Sequence, residues 1–549
     1  MPKEENKFID NLLKRWMNED NHYGYINNEL STFDIIILLN LLSNRSYNDL
    51  YQYPVFPLLF FYDKKDQDNY SLVPRTLNCQ IGFQTDTKGG ETRKRQFVNS
   101  YEMTKEEIND GISDIPEAYY FNTNYSNSVY INNYLLRLFP YSFIGIEIQG
   151  DGFDDPNRLF HSIEHAFYNI SSLSTDLREL LPEFYFLPEM FININKLNFK
   201  KKNGGIQIDN VEMPVSLVEN NNENNNIIIN NNLGCFKFIE YMRNYLEKKY
   251  LEVLNWLNLI FGNRQKYHNK NKLDQYFRSE TYFSFNKEDD EKLDGFLKND
   301  VIMSSVEFGL VPIQILFNDK EIKENENNSA YSTINKNVIE SKLKSNICKD
   351  KRYIINIKNI LENKNDYDIK EKNKNYIFKK GKKNININCD NLGKVEIYIN
   401  DKLISEFYDQ KDMIKYIDYN KRLNMFVTTS LDGYSCIYSI PNKLISVIKH
   451  PSNGYFDYIL LSANPFPTVI TFDKINNDLY SYSVNGFFII KVNLSQIIGD
   501  LDKINNNINI YPIFDTDGGA HKDLLVIQVE NENNIVVNLP FFEKETEFN

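Results

Sequence analysis

The chain has 549 residues, 42% hydrophobic and 14% aromatic, with a formal net charge of −13. That apolar content can fill the cores of about two to four domains, so a wholly disordered chain is excluded. The acidic balance repels phosphate backbones and weakens attraction to anionic lipid, which argues against nucleic-acid binding as a main role.

The start, MPKEENKF, carries no apolar run of signal-peptide type. Phe8, Ile9, Leu12, Leu13 and Trp16 share a helical spacing over a short stretch. Residues 31–44 read as a helix, with Ser31 as cap and Asp34 as the acid of a capping box. Its centre is apolar nearly all round, which predicts burial on most sides. The longest mostly apolar runs, 33–42 and 53–62, fall short of the roughly 20 residues a spanning helix needs. The expectation is a soluble, cytoplasmic protein whose membrane contact, on endosomal, lysosomal or other endomembranes, is peripheral. Cys79, Cys235, Cys348, Cys389 and Cys436 form no CxxC pair, so they read as idle thiols in a reducing compartment.

Ile144, Ile146 and Ile148 alternate as in a strand, with Gly150 and Gly152 as turn residues. Residues 158–168 read as helical. Residues 182–188 cannot lie mid-helix, because Pro182 and Pro188 remove donors, so an extended and buried segment is expected. Residues 219–232, ENNNENNNIIINNN, read as a disordered insertion. Ile239, Met242, Leu246, Tyr250, Val253, Leu257 and Ile260 then step by three and four, which predicts one long helix with Gly262 as its C-cap. An Asn-, Lys- and Glu-rich break occupies about 318–394. From Val395 the period becomes two. Val395, Ile397 and Ile399 alternate, as do Tyr434, Cys436, Tyr438 and Ile440 after Asp432–Gly433. Residues 479–484 face 487–490 across Asn485–Gly486, and 525–529 face 535–537 around Asn533, both as hairpins.

Five strings in the first three fifths of the chain carry a resemblance. They are NRSYNDLYQYPVFP (44–57), QGDGFDDPNRLF (149–160), DLRELLPEFYFLPEMFININ (176–195), WLNLIFGNRQ (256–265) and FGLVPIQILF (308–317). These resemble, in order, the motifs of BEACH domains of beige and neurobeachin type. Some segments have drifted. The family's RDLSKPIG stands here as RTLNCQIG (75–82), and its FHYGTHYSS as YFNTNYSN (120–127), without the histidines. Leu58 replaces the usual tryptophan, and MPVSL (213–217) stands for LPPWA. In the family a PH-like domain usually precedes BEACH. Only about fifteen residues precede Trp16, so a trimmed member or a sequence that begins late is expected.

The family usually continues into WD repeats. FVTTSLDGYSCIYSI (426–440) resembles one unit, with Tyr438–Ser439 where Trp-Asp would stand. At about 40–45 residues per blade, 395–549 holds about three to four, and counting from Cys348 gives about five. A closed propeller of about six or seven blades requires further strands in the linker; otherwise it stays incomplete. The resulting expectation is a multidomain chain. A leader (1–15) precedes an α-rich BEACH domain of helices and buried extended segments (16–317), which carries an asparagine-rich insertion (218–234). A linker (318–347) leads to an all-β WD-repeat, propeller-like region (348–549).

The resemblance implies a non-enzymatic scaffold that binds proteins of the membrane-trafficking machinery. Its setting would be vesicle fusion or fission, lysosome-related organelles or autophagy. The family motifs contain Arg45, Ser46, Tyr47, Asn48, Asp49, Arg75, Asp154, Arg158, Glu183 and Glu189, which form a candidate partner surface. The structural reading of the charged members is an internal network, since buried charges need partners. His161 and His165, in HSIEH, match the H-x-x-E-H zinc-peptidase pattern, with Glu240 or Glu247 as a third ligand. That supports an alternative, a zinc metallohydrolase; a second alternative is a module for a single adaptor. No nucleophile elbow, phosphate loop or dinucleotide motif occurs, and no cofactor is expected.

Overall fold

The computed structural model describes Leu13, residues 31–214 with gaps at 67–68, 85–89, 112–116, 151, 174–175, 203–204 and 206, residues 228–229, residues 233–316 with gaps at 270–271 and 283–294, and residues 375–548 with gaps at 381–382, 421, 500–507, 514–522 and 530–533. The reading of 8–16, apart from Leu13, and that of the 318–347 linker lie outside these residues. The chain divides into two compact units. One contains Leu30–Val218 and Tyr241–Asn337, and the other Glu219–Glu240 and Val338–Asn549.

In chain order the described elements begin with α1 (Thr32–Leu42), the hairpin β1 (Phe60–Asp66) and β2 (Asn69–Pro74), α2 (Gly90–Asn109) and β3 (Tyr119–Phe121). Next come α3 (Ser128–Tyr134), α4 (Tyr141–Ile148), α5 (Ile163–Ser172), the short strand β4 (Ile228–Ile229), α6 (Leu233–Lys248) and α7 (Tyr250–Phe261). β5 (Lys266–Asn269), β6 (Lys272–Phe277) and α8 (Gly295–Phe308) follow. β3, β6 and β5 form a small sheet.

The start of α1 is fixed by its sequence. Ser31 Oγ accepts from the Asp34 amide at 3.2 Å, and the Ser31 amide donates to Asp34 Oδ2 at 3.0 Å. Glu247, distant in sequence, accepts from the amides of Thr32 (2.8 Å) and Phe33 (3.3 Å). The first-turn donors that a helix leaves open are thereby satisfied. Ser31→Ala is expected to cost about 1 kcal/mol, a cap-sized loss, in denaturant unfolding. A change near zero would mean that Glu247 alone suffices. The helix is less enclosed than its composition predicts. Ile35, Ile36, Leu39 and Asn40 are buried, while Leu41 and Leu42 are 50% and 39% exposed.

Several expectations are corrected. Ile144, Ile146 and Ile148 lie in helix α4, not a strand. Pro140 accepts the first helical bond, from the Ile144 amide at 3.2 Å. Only Ser142 of this helix is buried, so the period-two pattern recorded no burial. The helix expected at 158–168 starts at Ile163, with Ser162 as N-cap. Pro182 and Pro188 do break the helix, but each opens a buried 3-10 turn, Pro182–Tyr185 and Pro188–Phe191, rather than an extended run. Proline suits that first position, where its missing N–H is not needed.

The long helix expected over 239–260 is two, α6 and α7, parted at Lys249. Gly262 is the C-cap of α7, as expected, with an extended φ of −122°. It serves close approach, since a Cβ there would lie 2.8 Å from Asn258 Oδ1 and 2.9 Å from the Asn258 carbonyl. Most of 219–232 lies outside the described residues, but Ile228 and Ile229 pair with Lys491 and Ile490 as a strand.

The second unit is β-rich. Its strands are β7 (Asn375–Lys380), β8 (Lys383–Cys389), β9 (Val395–Ile399), β10 (Lys402–Phe407), β11 (Ile414–Asn420), β12 (Met425–Ser430), β13 (Tyr434–Ser439) and β14 (Lys443–Lys449). They continue as β15 (Tyr458–Ser462), β16 (Thr468–Asp473), β17 (Asp478–Ser483), β18 (Phe488–Asn493), β19 (Ile508–Ile513), β20 (Leu524–Val529), β21 (Asn534–Asn538) and β22 (Lys544–Phe548). Each run of four forms an antiparallel meander, and β4 joins β18 as a fifth strand of the third sheet. The hairpins around Gly433 and Gly486 lie where the alternation places them, and β20 pairs with β21 as expected. Gly433 and Gly486 hold φ +84° and +82°, as such turns require.

Consecutive sheets share cores. Ile387, Ile397, Phe426 and Tyr438 join the first two, and Val427, Ile437, Ile459 and Tyr480 join the second and third. Buried acids pin the sheets further. Asp418 Oδ2 accepts from the Leu461 amide at 2.7 Å, and Asp523 Oδ2 from Ser462 Oγ at 2.7 Å and the Ala463 amide at 2.8 Å. His450 Nδ1 accepts from the Gly454 amide at 3.1 Å, and its Nε2 lies 3.2 Å from Asp473 Oδ2. The α-rich region is thus followed by a β-sheet-rich region consistent with an incomplete propeller-like domain.

Candidate functional site

The charged residues of the motif strings fall into different environments. Arg45 is buried and ties three distant segments. Its Nε donates to the Tyr53 carbonyl at 2.7 Å, Nη1 to the Leu310 carbonyl at 2.9 Å and Nη2 to Ser126 Oγ at 2.8 Å. Burial lowers its guanidinium pKa to about 9. Arg75 is buried against Glu179, with Nη1 2.6 Å from Oε2. Glu179 also accepts from the Leu58 amide at 2.7 Å and Trp256 Nε1 at 3.1 Å.

Glu183, four residues further on, is also buried. Its Oε1 accepts a 2.5 Å bond from the Tyr53 hydroxyl, and among the described residues no donor reaches Oε2. Desolvation raises its pKa to about 7. Glu189 is buried in the second 3-10 turn, where its carbonyl accepts from the Ile192 amide at 3.1 Å.

The remaining candidates lie nearer the surface. Tyr47 and Asn48 are exposed and Ser46 is half-buried. Asp49 organises this loop, accepting from the amides of Tyr51 (2.8 Å) and Gln52 (3.2 Å). Asp154 and Arg158 form a 2.5 Å pair with Arg158 mostly exposed.

Among the described residues, His161 and His165 join no third ligand for the alternative zinc centre. Because Ser162 caps α5, His161 lies outside the helix and the pair is not on successive helical turns. Their rings stack with centroids 4.9 Å apart, and His161 Nδ1 is 2.7 Å from the Leu159 carbonyl. Burial lowers both pKa values, favouring neutral imidazoles. Glu247, a proposed third ligand, is committed to the start of α1. Glu240, the other, joins no metal-binding set: among the described residues no group of three His, Cys, Asp or Glu side chains could hold a metal ion. Among those residues, too, no helix is long and apolar enough to cross a membrane.

The family strings are bonded to one another. The Phe56 and Leu180 amides and carbonyls exchange two 2.9 Å bonds. The Glu179 amide donates to the Tyr125 carbonyl at 2.9 Å, and the amides of Ile315 and Leu316 to the Phe261 carbonyl at 2.9 Å. Over residues 23–324, more than half its length, the chain matches the Beige/BEACH domain family. The chain belongs to the BEACH family.

Beige protein homolog 1 of Saccharomyces cerevisiae is 33% identical over 269 residues, 48% of this chain and 11% of the yeast protein. BEACH domain-containing protein B of Arabidopsis thaliana is 30% identical over 263 residues, 47% of this chain and 9% of its own length. The human lysosomal-trafficking regulator is 30% identical over 266 residues, 46% of this chain and 6% of its own length. The matches therefore span only about a tenth of these relatives. Among solved structures, BamB from Moraxella catarrhalis covers 30% of this chain and 46% of its own at 11% identity, with a TM-score of 0.24.

Three residues beside the candidates were not among them, although two, Glu179 and Trp256, lie in the motif strings. Glu179 is the partner of Arg75, Trp256 donates to Glu179, and Tyr141 lies with its hydroxyl 3.4 Å from that of Tyr53. Glu179 had a usable signal, an acid set among leucines in ELLPE. Its partner lies 104 residues away, beyond any local pattern.

Proposed function

We propose that this protein is a non-enzymatic scaffold of intracellular membrane traffic. Family membership carries the reading, and the name of the human relative, lysosomal-trafficking regulator, points it toward the lysosome. The buried charges of the BEACH domain serve its rigidity: Arg45 and Arg75 are consumed by internal bonds. Partner binding then falls to surface groups such as Tyr47 and Asn48, and to the β-rich region as a degenerate WD-repeat platform. Two docking modules on one chain raise the effective concentration of what they bind. Membrane association is peripheral and reaches endosomal or lysosomal surfaces through protein partners, with autophagy and vesicle fusion or fission as settings. The second reading, a module for a single adaptor, uses the same surface without the β-rich platform.

Organelle fractionation of cells that express the full chain tests this. The protein is expected to co-sediment with endosomal or lysosomal markers and to be released by a high-salt wash. A protein confined to the soluble fraction would contradict the proposal.

A further inference from the structure

Glu179 and Glu183 are two buried carboxylates four residues apart in sequence, with opposite surroundings. Glu179 has Arg75 and two further donors. Glu183 has the Tyr53 hydroxyl on Oε1 and an interaction with its own backbone amide, and among the described residues nothing bonds its Oε2. Among the described residues, no lysine or arginine pairs with it, and no cation figures among the causes of its shifted titration. A carboxylate that is 5% exposed with one unbonded oxygen is costly to hold.

What surrounds Glu183 is aromatic. Tyr53 and Tyr141 meet through their hydroxyls at 3.4 Å, and Tyr47 stands edge-on to Tyr53 with ring centroids 5.6 Å apart and planes at 89°. Tyr47 and Tyr141 both sense the Glu183 charge. Tyrosine faces attract cations, and they do so most strongly where water is excluded. Tyr47, the outermost of the three, is 38% exposed and lies in the surface loop that Asp49 organises. Exposed rings change rotamer rapidly, so Tyr47 is the member of this cluster free to move.

We propose that Tyr47, Tyr53, Tyr141 and Glu183 form a receptor for one basic side chain, lysine or arginine, presented by a protein partner. The ammonium or guanidinium bonds Oε2, and the tyrosine rings form the walls. The chain supplies its own cation to Glu179 and leaves Glu183 for one from outside. This names the chemistry of a partner and does not depend on which organelle is served.

The test uses the full-length protein and three probes at matched ionic strength: the acetylated amides of arginine, lysine and neutral citrulline. The readout is the shift in thermal unfolding midpoint as each probe is titrated. Arginine or lysine amide is expected to raise the midpoint and citrulline amide to leave it unchanged; the stronger cation identifies the preferred side chain. Glu183→Gln and Tyr47→Ala are each expected to weaken the response roughly tenfold or more, as when a desolvated cation loses its partner. Tyr47 is a surface residue, so its variant keeps the test valid if Glu183→Gln folds poorly. Equal shifts with all three probes, no shift with either cation, or an undiminished response in both variants would overturn the proposal.

Discussion

Glu179→Ala is expected to destabilise the BEACH domain by about 3–5 kcal/mol, the cost of breaking a buried ion pair from one side. Both side chains of the Arg75–Glu179 pair are fully shielded from solvent. Removing the carboxylate leaves the Arg75 guanidinium charged in an apolar setting. It also strands the Leu58 amide and Trp256 Nε1, each of which donates to Glu179. Glu179→Gln keeps acceptor capacity but not the charge, so its loss should be smaller. Arg158→Ala is the contrast. It breaks the exposed Asp154–Arg158 pair, for which a change below about 0.5 kcal/mol is expected. Denaturant unfolding of the three variants checks the order. A Glu179→Ala loss no larger than that of Arg158→Ala would show that the buried pair does not anchor the fold.

The second large effect concerns Glu183 and depends on pH. Its carboxyl is raised from 4.5 to about 7 by burial. A raised carboxyl binds its proton more tightly in the folded state than in the unfolded one. The stability it contributes is therefore complete below about pH 4.5 and is lost as pH rises through about 7. That difference corresponds to about 3 kcal/mol at most. Glu183→Gln removes the titration while keeping a group that can accept the Tyr53 hydroxyl. The variant is expected to gain on the wild type as pH is raised from about 5 to 8. Because other carboxylates titrate in both proteins, the informative quantity is the difference between the two unfolding curves. A difference that is constant across this range would mean that Glu183 is ionised throughout. Bound basic side chains would act in the same direction as the substitution, by removing the cost of the bare charge.

Much of this fold is visible in the chain itself, for local reasons. The Ser31–Asp34 box lies within one helical turn, and the β hairpins announce themselves through alternation and turns such as Asp432–Gly433 and Asn485–Gly486. The five motif strings place the BEACH domain, and four of them are joined in pairs by backbone bonds, Phe56 with Leu180 and Phe261 with Ile315 and Leu316. Failures occurred where context overrides pattern. Helix α4 alternates like a strand because its isoleucines are not fully buried, so nothing forces a helical stripe. The prolines at 182 and 188 exclude a long helix but do not distinguish an extended run from two 3-10 turns. HSIEH carries the composition of a zinc site, yet the Ser162 cap sets one histidine outside the helix. The Tyr47–Glu183 cluster joins residues over a hundred positions apart, and the bare oxygen of Glu183 has no sequence signature at all.

The central claim, a binding scaffold of membrane traffic built on a BEACH domain, is tested most directly by proximity labelling with the full chain in cells. The account predicts that endosomal or lysosomal proteins are enriched over a freely expressed labelling enzyme. A labelled set without any protein of those membranes would contradict it.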